Sequence, residues 1–280
     1  MNASRNQQFP KKAYQVAETY GLGMPEAIYN MNMRGCGGGC ATAQFVALTI
    51  VLVLGLIILA AGLVQSILSR DFALMLFFGI GVAGGGLVVR RNIIKIIEGR
   101  NTSIIRCKDG IALVKLTAIV AMRWEQIECI RDNVMRISGE ADHEYIVYDS
   151  TGRTITFNIL FEGYEELYSI TKQKVLQNLF PKVLGDYEAG KPIVFGAITV
   201  SKMGITYGKK ELSWDEYASI NLNGDSITIL HLQEPGRWSS VEPWASIHLS
   251  QIPNVFLLTA LVNSMQEKRT ASQVKVNASK

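Results

Sequence analysis

The feature that most constrains this chain is a long stretch without charge, since no Asp, Glu, Lys or Arg lies between Arg34 and Arg70. Within it, residues 45–68 are almost continuously apolar. About 20 apolar residues in a helix cross the ~30 Å hydrocarbon core of a bilayer. A helix of a soluble protein usually keeps one polar face, which this segment lacks. We therefore predict a transmembrane helix here.

A second charge-free run, residues 72–89, follows after a connection too short to form a domain. Its length lies near the lower limit for a membrane span. Together the two runs predict an antiparallel transmembrane hairpin over residues 45–89. A cleavable signal peptide fits poorly, because 44 residues precede the first run and another run follows it.

Basic residues lie on both outer flanks of this hairpin. The net charge of +4 is the sum of these flanks and a nearly neutral C-terminal part, so it does not indicate a nucleic-acid partner. The positive-inside rule predicts a cell-membrane protein with both termini in the cytoplasm. Four side chains after the second run are candidate contacts to anionic headgroups of the lipid bilayer: Arg90, Arg91, Lys95 and Arg100.

Two glycine-rich motifs lie near the predicted spans. Gly79, Gly81 and Gly84 spell G-x-G-x-x-G, but they lie in an apolar run without the strand that a dinucleotide site needs. Gly81 and Gly85 fit close helix packing better, and such a face also suits a homo-oligomer. The Cys36–Cys40 pair has no second ligand pair, so the sequence predicts neither a metal site nor a cofactor.

After Arg100 the pattern changes to short strands, and it occurs twice. Residues 111–120, 144–149 and 154–158 are predicted strands, and a predicted helix over 163–180 is closed by Pro181. A second set of strands is predicted at 194–200, 204–207, 226–232 and 245–249, before a helix that begins after Pro253. Three landmarks match between the sets, namely Gly110 with Gly204, Trp124 with Trp214, and Ile155 with Ile247. This order indicates an internal duplication.

The resulting domain organisation has seven segments. They are a cytoplasmic N-terminal segment with a Gly-rich lead-in (1–44), the transmembrane hairpin (45–89), a basic stem (90–102), domain 1 (103–183), a linker (184–192), domain 2 (193–268) and a flexible tail (269–280).

Two N-terminal membrane helices followed by strands, a glycine turn, a Trp-Glu/Asp corner and a terminal helix resemble uncharacterised bacterial membrane-anchored PH-like domain proteins. The segment Gly21–Tyr29 also looks like the lead-in of one branch of these proteins. The resemblance implies a fold class of a membrane helical hairpin plus α+β domains, with two PH-like β-rolls each capped by a C-terminal helix. It implies a binding role. Phosphoinositide-binding PH domains carry several basic residues around the first hairpin, whereas this chain has Arg106 and Lys108 there, and Lys202, Lys209 and Lys210 in the second copy.

The sequence shows no catalytic constellation, so we expect a non-enzymatic protein. His143, beside Asp142 and Glu144, is the one candidate for acid–base chemistry, and His231 and His248 fit better as strand residues. Arg237, Trp238 and Trp244 lie in a Pro-interrupted stretch and form a candidate binding loop, although the two tryptophans would equally suit packing on the second domain.

These observations favour a multi-pass membrane protein whose tandem domains act as a binding or scaffolding module for a protein partner that the sequence does not identify. One alternative is a module that senses anionic lipid through the basic stem and the tryptophan loop. A second alternative is a membrane-bound enzyme of an unrecognised type.

Overall fold

The computed structural model describes residues 9–32, 39–69, 80, 83–84, 87, 101–137, 140–232 and 241–278. Within these ranges the strands form four antiparallel sheets, two with four strands and two with three.

The first part of the chain contains one sheet of each size. Its elements are helix α1 (Lys11–Thr19), strand β1 (Pro25–Asn30), helix α2 (Gly39–Ser69), and strands β2 (Ser103–Cys107), β3 (Gly110–Val114), β4 (Ile119–Arg123), β5 (Ile127–Ile137), β6 (Glu140–Asp149) and β7 (Thr154–Asn158). The sheets have the orders β1-β2-β3-β4 and β5-β6-β7, with a 3-10 turn at Trp124–Gln126 between them. Helix α3 (Tyr164–Glu188) follows.

The second part repeats this arrangement. Its strands are β8 (Ile193–Phe195), β9 (Ile198–Val200), β10 (Gly204–Tyr207), β11 (Lys210–Ser213), β12 (Tyr217–Asn223), β13 (Ser226–Leu232) and β14 (Val241–His248). They form sheets of the orders β8-β9-β10-β11 and β12-β13-β14. A 3-10 turn at Leu249–Gln251 leads to helix α4 (Val255–Ala278). We call β1–β7 with α3 the first repeat and β8–β14 with α4 the second repeat.

A tryptophan makes the same hydrogen bond in both repeats. The Nε1–H of Trp124 donates to the Lys108 carbonyl oxygen at 3.0 Å, and the Nε1–H of Trp214 donates to the Ser201 carbonyl oxygen at 2.9 Å. Each bond fastens the turn between the second and third strands of a four-stranded sheet. The comparison makes β1 the equivalent of β8, so the first repeat is complete only with a strand that precedes the long apolar helix α2.

We expect Trp124→Phe and Trp214→Phe to destabilise the protein by about 2 kcal/mol each, because each change removes one hydrogen bond and part of a large packed ring. The loss should be larger at Trp124, which is buried, than at Trp214, which is half-buried. Urea unfolding of both variants measures the two losses. Unchanged stability in both variants would contradict the equivalent roles of the two rings.

One hydrophobic core extends through both repeats, and a second, smaller cluster covers the outer face of the first sheet. Ile111 and Leu113 of β3 point into the shared core, whereas Ala112 and Val114 pack against α1 through Val16. Every residue of β3 is therefore buried. Covering on both faces explains why the sequence of this strand is continuously apolar rather than alternating.

Asn254 joins the second repeat to a strand of the first. Its side-chain oxygen accepts from Ile130 N–H at 2.8 Å, its side-chain amide donates to the Glu128 carbonyl at 2.8 Å, and its own N–H donates to the Ile130 carbonyl at 2.9 Å. Its φ of 54° lies in the left-handed region that asparagine tolerates better than most residues. The start of α4 is thereby held against β5.

The predicted fold class, a transmembrane helical hairpin plus two PH-like β-rolls each capped by a C-terminal helix, is wrong. In the part of the chain that the structure describes, the strands form four separate sheets, and α2 is the single helix long and apolar enough to cross a membrane. The second predicted span, 72–89, lies outside the described residues except at positions 80, 83–84 and 87. The four described positions of this run are helical, but among the described residues they do not form a second helix long enough to cross a membrane.

Three local predictions also differ from the structure. The predicted strand 111–120 is the hairpin β3–β4, which turns where Lys115 N–H donates to the Ala118 carbonyl at 2.8 Å. Helix α3 continues through Pro181, because Tyr187 beyond it is buried in the core and this packing offsets the missing hydrogen bond. Residues 11–30, predicted to lie in a lead-in segment, form α1 and β1.

Candidate functional site

The most unusual feature of the described chain is the place where helix α2 is inserted. β1 and β2 are antiparallel neighbours, from Pro25 opposite Cys107 to Asn30 opposite Ser103. The pairing continues outward, because Met31 N–H donates to the Thr102 carbonyl at 3.1 Å. The chain therefore leaves the sheet and returns to it at one point. We call residues 33–100 the apolar insert.

The described part of the insert is apolar and exposed. The window Leu52–Ser69 has a mean hydropathy of 2.4, and none of it is buried in the protein. Large apolar side chains along α2 are more than half exposed, namely Ile50, Leu54, Ile57, Ile58, Val64, Ile67 and Leu68. Monomeric soluble proteins rarely expose a continuous apolar surface of this kind, which is typical of contact with a membrane or a protein.

A second candidate site is a partly buried acid–base pair on the three-stranded sheet of the first repeat. Asp132 faces Tyr145 across β5 and β6, and His143 lies on the same face two pairs further along, opposite Val134. The His143 Nδ1 atom lies 2.9 and 3.0 Å from the two carboxylate oxygens of Asp132. Asp142 and Glu144, the sequence neighbours of His143, belong to the opposite face, since adjacent strand residues alternate.

Aromatic rings extend this pair into the core. His143 stacks on Tyr145 with ring centroids 5.9 Å apart, and Tyr145 stacks on Tyr168 of α3 at 3.8 Å. Burial raises the pKa of both tyrosine hydroxyls, so both stay neutral. Among the described residues, no group of three His, Cys, Asp or Glu side chains could hold a metal ion. The His143–Asp132 pair can share a proton, and the stacked rings of Tyr145 and Tyr168 connect it to the hydrophobic core.

The Asp132 carboxyl has a pKa above its ordinary value of 3.8, because burial of the charged form outweighs the hydrogen bond and the charge of His143 and the charge of His248. The folded protein therefore holds a proton on Asp132 at pH values where the unfolded chain has released it. We expect the free energy of unfolding to fall as the pH rises from about 4 through this raised pKa. Asp132→Asn should remove that part of the pH dependence.

Urea unfolding of both proteins across this pH range measures the effect. The difference between wild type and Asp132→Asn should change with pH in the stated direction. A constant difference would show that Asp132 has the same pKa in the folded and unfolded protein.

Arg106 is committed to contacts within the protein rather than to a ligand. It donates to the Tyr29 hydroxyl at 2.9 Å and to Glu166 at 3.0 Å, and its guanidinium lies 3.5 Å from Glu26. Burial raises the pKa of Tyr29 to about 12. Lys202, another residue compared with a headgroup site, lies over the ring of Tyr187 at 4.5 Å. These basic residues therefore fasten β1, β2 and the helices.

A groove of about 750 Å³ lies at the junction of the two repeats. Its walls are α3, the 3-10 turn before β5, the edge strand β8 and the start of α4. It is lined by Glu125, Glu128, Asn178, Leu179, Lys182, Val183, Asp186, Pro192, Ile193, Val194, Phe195, Pro253, Asn254 and Leu257. Val194 is 66 % exposed at its edge. No local pattern in the sequence predicts this groove, because its walls come from four separate parts of the chain.

Most of the predicted site residues lie outside the part of the chain that the structure describes. In the candidate binding loop, Trp244 lies in β14 and packs against the core. This is the second of the two alternatives for the tryptophans, packing on the second domain. The remaining candidates lie outside the described residues, namely Arg237, Trp238, Gly81, Gly85, Arg90, Arg91, Lys95 and Arg100.

Comparison with known proteins gives a family but no activity. No curated protein and no solved structure matches the chain. A family model matches residues 1–271, a range that includes α1, β1, the apolar insert and both repeats. The chain therefore belongs to DUF6585, a family of unknown function.

Proposed function

We propose that this protein is a membrane-tethered binding module, in which the apolar insert holds the two repeats at a membrane surface and the groove between them binds a segment of a protein partner. The observation that carries the proposal is the insertion of an exposed apolar helix between two paired strands of a folded repeat.

The free energy cost of exposing the apolar side chains of α2 to water supports a membrane as the environment of this helix. Removing one Leu, Ile or Val side chain from water contributes roughly 1.5–3 kcal/mol. Seven such side chains of α2 are more than half exposed. The sum is on the order of 10 kcal/mol, which is comparable with the whole stability of a typical domain. A bilayer provides this cover for a helix of 31 residues without further protein.

The pairing of β1 with β2 constrains the topology of the tether. Both ends of the apolar insert start from the same end of the first sheet, so the insert holds that end of the sheet close to the membrane. The basic residues Arg90, Arg91, Lys95 and Arg100 favour the cytoplasmic side for the chain that follows the insert.

The groove supports the binding part of the proposal. It is lined by apolar side chains, including Leu179 and Phe195, and by the carboxylates of Glu125, Glu128 and Asp186, which outnumber the one ammonium group, that of Lys182. The strand at its border, β8, is the edge of a four-stranded sheet, and an edge strand offers backbone groups to an extended peptide. A peptide with apolar and basic side chains matches this surface.

The tether is tested by membrane flotation of the full chain and of a variant in which residues 33–100 are replaced by a short Gly-Ser loop. A loop of about four residues suffices, because hairpin connections of 2–5 residues close adjacent antiparallel strands. We expect the full chain to float with vesicles and to resist alkaline extraction, whereas the loop variant stays in the aqueous fraction. A full chain that is extracted at alkaline pH would overturn the tether.

The groove is tested by placing a photo-crosslinking amino acid at Val194 in the full chain in cells. Leu222 of β12 is the matched control, because it is 55 % exposed on a strand but does not line the groove. We expect a protein adduct at position 194 that is absent at 222. Equal adducts, or none at either position, would contradict the groove as the binding site.

A further inference from the structure

The hairpin β3–β4 projects from the same end of the first sheet as the apolar insert. Asn30 lies opposite Ser103, Ser103 opposite Val114, and Val114 opposite Ile119. The insert begins and ends just beyond the first of these pairs. The apex of the hairpin, Leu116 and Thr117, lies beyond the last pair, within about two residues, or roughly 7 Å, of the level at which the chain leaves the sheet.

This apex carries an exposed apolar side chain. Lys115 N–H donates to the Ala118 carbonyl at 2.8 Å and closes the turn, which leaves Leu116 and Thr117 at the tip. Residues 115–118 are all exposed, and Leu116 is 58 % exposed. The turn itself gives no reason for a leucine, because tight turns favour Gly, Asn or Asp.

The equivalent hairpin of the second repeat provides an internal comparison. There Tyr207 pairs with Lys210, and the apex is Gly208-Lys209. It is also shorter, since the strand before its apex runs over four residues from Gly204 through Tyr207, whereas six run from Gly110 through Lys115. The longer hairpin with the apolar apex therefore belongs to the repeat that holds the insert.

We propose that the Leu116 apex is a membrane-contact site, at which the leucine side chain enters the interfacial region of the bilayer that holds the apolar insert. This inference rests on the proposed membrane tether. The Leu116 side chain leaves water and contacts the acyl chains. The Lys115 ammonium lies at the level of the headgroups, as the charged ends of basic residues at interfaces do. The contact fixes the orientation of the first sheet relative to the membrane.

The contact is apolar rather than electrostatic. Lys115 is the basic residue at the apex, and Glu162 lies at the same end of the repeat, where its N–H donates to the Asn30 carbonyl. These two charges have opposite sign, so the described residues at this end form no basic patch. The contact should therefore form on zwitterionic as well as on anionic lipid.

The test places the photo-crosslinking amino acid p-benzoylphenylalanine at Leu116 in the full chain, reconstituted into phosphatidylcholine vesicles with and without phosphatidylglycerol. The matched control carries it at Lys209, at the apex of the equivalent hairpin. We expect a lipid adduct by mass spectrometry at position 116, at least about tenfold more abundant than at 209 and equal in both lipid mixtures. The thermal unfolding midpoint should not change, because the apex is exposed.

Three other outcomes are possible, and each of them contradicts the tether, the contact or its apolar character. A full chain that does not float with vesicles overturns the tether and this contact together. A chain that floats but gives no more lipid adduct at 116 than at 209 overturns the contact alone. An adduct that needs phosphatidylglycerol contradicts the apolar character of the contact.

Discussion

Deleting residues 1–32 from the loop variant, in which a short loop replaces 33–100, is expected to unfold the first repeat. The deletion removes β1, which supplies an edge of the first sheet, and α1, which covers its outer face. It removes five side chains that are nearly inaccessible, namely Ala13, Val16, Ala17, Leu22 and Tyr29. It also exposes Ala112 and Val114 of the central strand β3 to water.

The expected loss is large compared with the stability of a domain. The larger of the removed side chains contribute roughly 1.5–3 kcal/mol each on burial, and newly exposed groups add to the loss. The total is on the order of 10 kcal/mol, within the range of the whole stability of many proteins. Circular dichroism and urea unfolding of the two proteins measure it. If residues 101–280 alone unfold at the same urea concentration as the loop variant, β1 is not part of the repeat.

Gly204→Ala is expected to destabilise the protein by about 4 kcal/mol. A Cβ atom on Gly204 would overlap the Leu212 carbonyl oxygen and lie 2.9 Å from the Leu212 carbonyl carbon. These are backbone atoms of the paired strand β11, so they cannot move aside without breaking the ladder. The equivalent Gly110 has the same restriction, since its Cβ would lie 2.5 Å from the Met122 carbonyl oxygen.

Gly185→Ala is the matched control for this change. Gly185 lies inside helix α3, and nothing lies within 4 Å of the position that its Cβ would occupy. Alanine should stabilise this helix by about 0.5–1 kcal/mol, because glycine loses more backbone entropy on folding. Thermal unfolding of the two variants should show shifts of opposite sign. Shifts of the same sign and size would contradict the close approach at Gly204.

The local sequence pattern was sufficient to predict several elements of the fold. The strands predicted at 204–207 and 226–232 have the bounds of β10 and β13. The helix predicted after Pro253 is α4, and its apolar residues Leu258 and Leu261 are buried. These segments follow turn residues and have regular periodicity, so neighbouring residues alone determine them.

Elements that depend on distant partners could not be predicted in the same way. β1 is a short strand whose partner begins at Ser103, beyond the whole apolar insert, so nothing local distinguishes it from a loop. The predicted strand 194–200 is in fact parts of two strands, β8 and β9, which turn at Gly196, because residues on both sides of the turn alternate as in one strand. The contact of His143 with Asp132 depends on the register of β5 and β6, which a single sequence does not specify.

The measurement that tests the central claim most directly is a disulfide across β1 and β2 in the membrane-bound full chain. Asn30 and Ser103 lie opposite each other beside the hydrogen-bonded pair Met31–Thr102, so they form a non-hydrogen-bonded pair, whose side chains lie close together. Asn30→Cys and Ser103→Cys are introduced together with a protease site within residues 33–38 into a chain whose Cys36 and Cys40 are replaced by serine, and Asn30→Cys alone in that chain is the control. After oxidation and cleavage in the membrane, the account predicts that the two fragments of the double variant stay joined on a non-reducing gel and separate on reduction. Fragments of the double variant that separate without reduction, as those of the control should, would contradict the pairing of β1 with β2 across the insert.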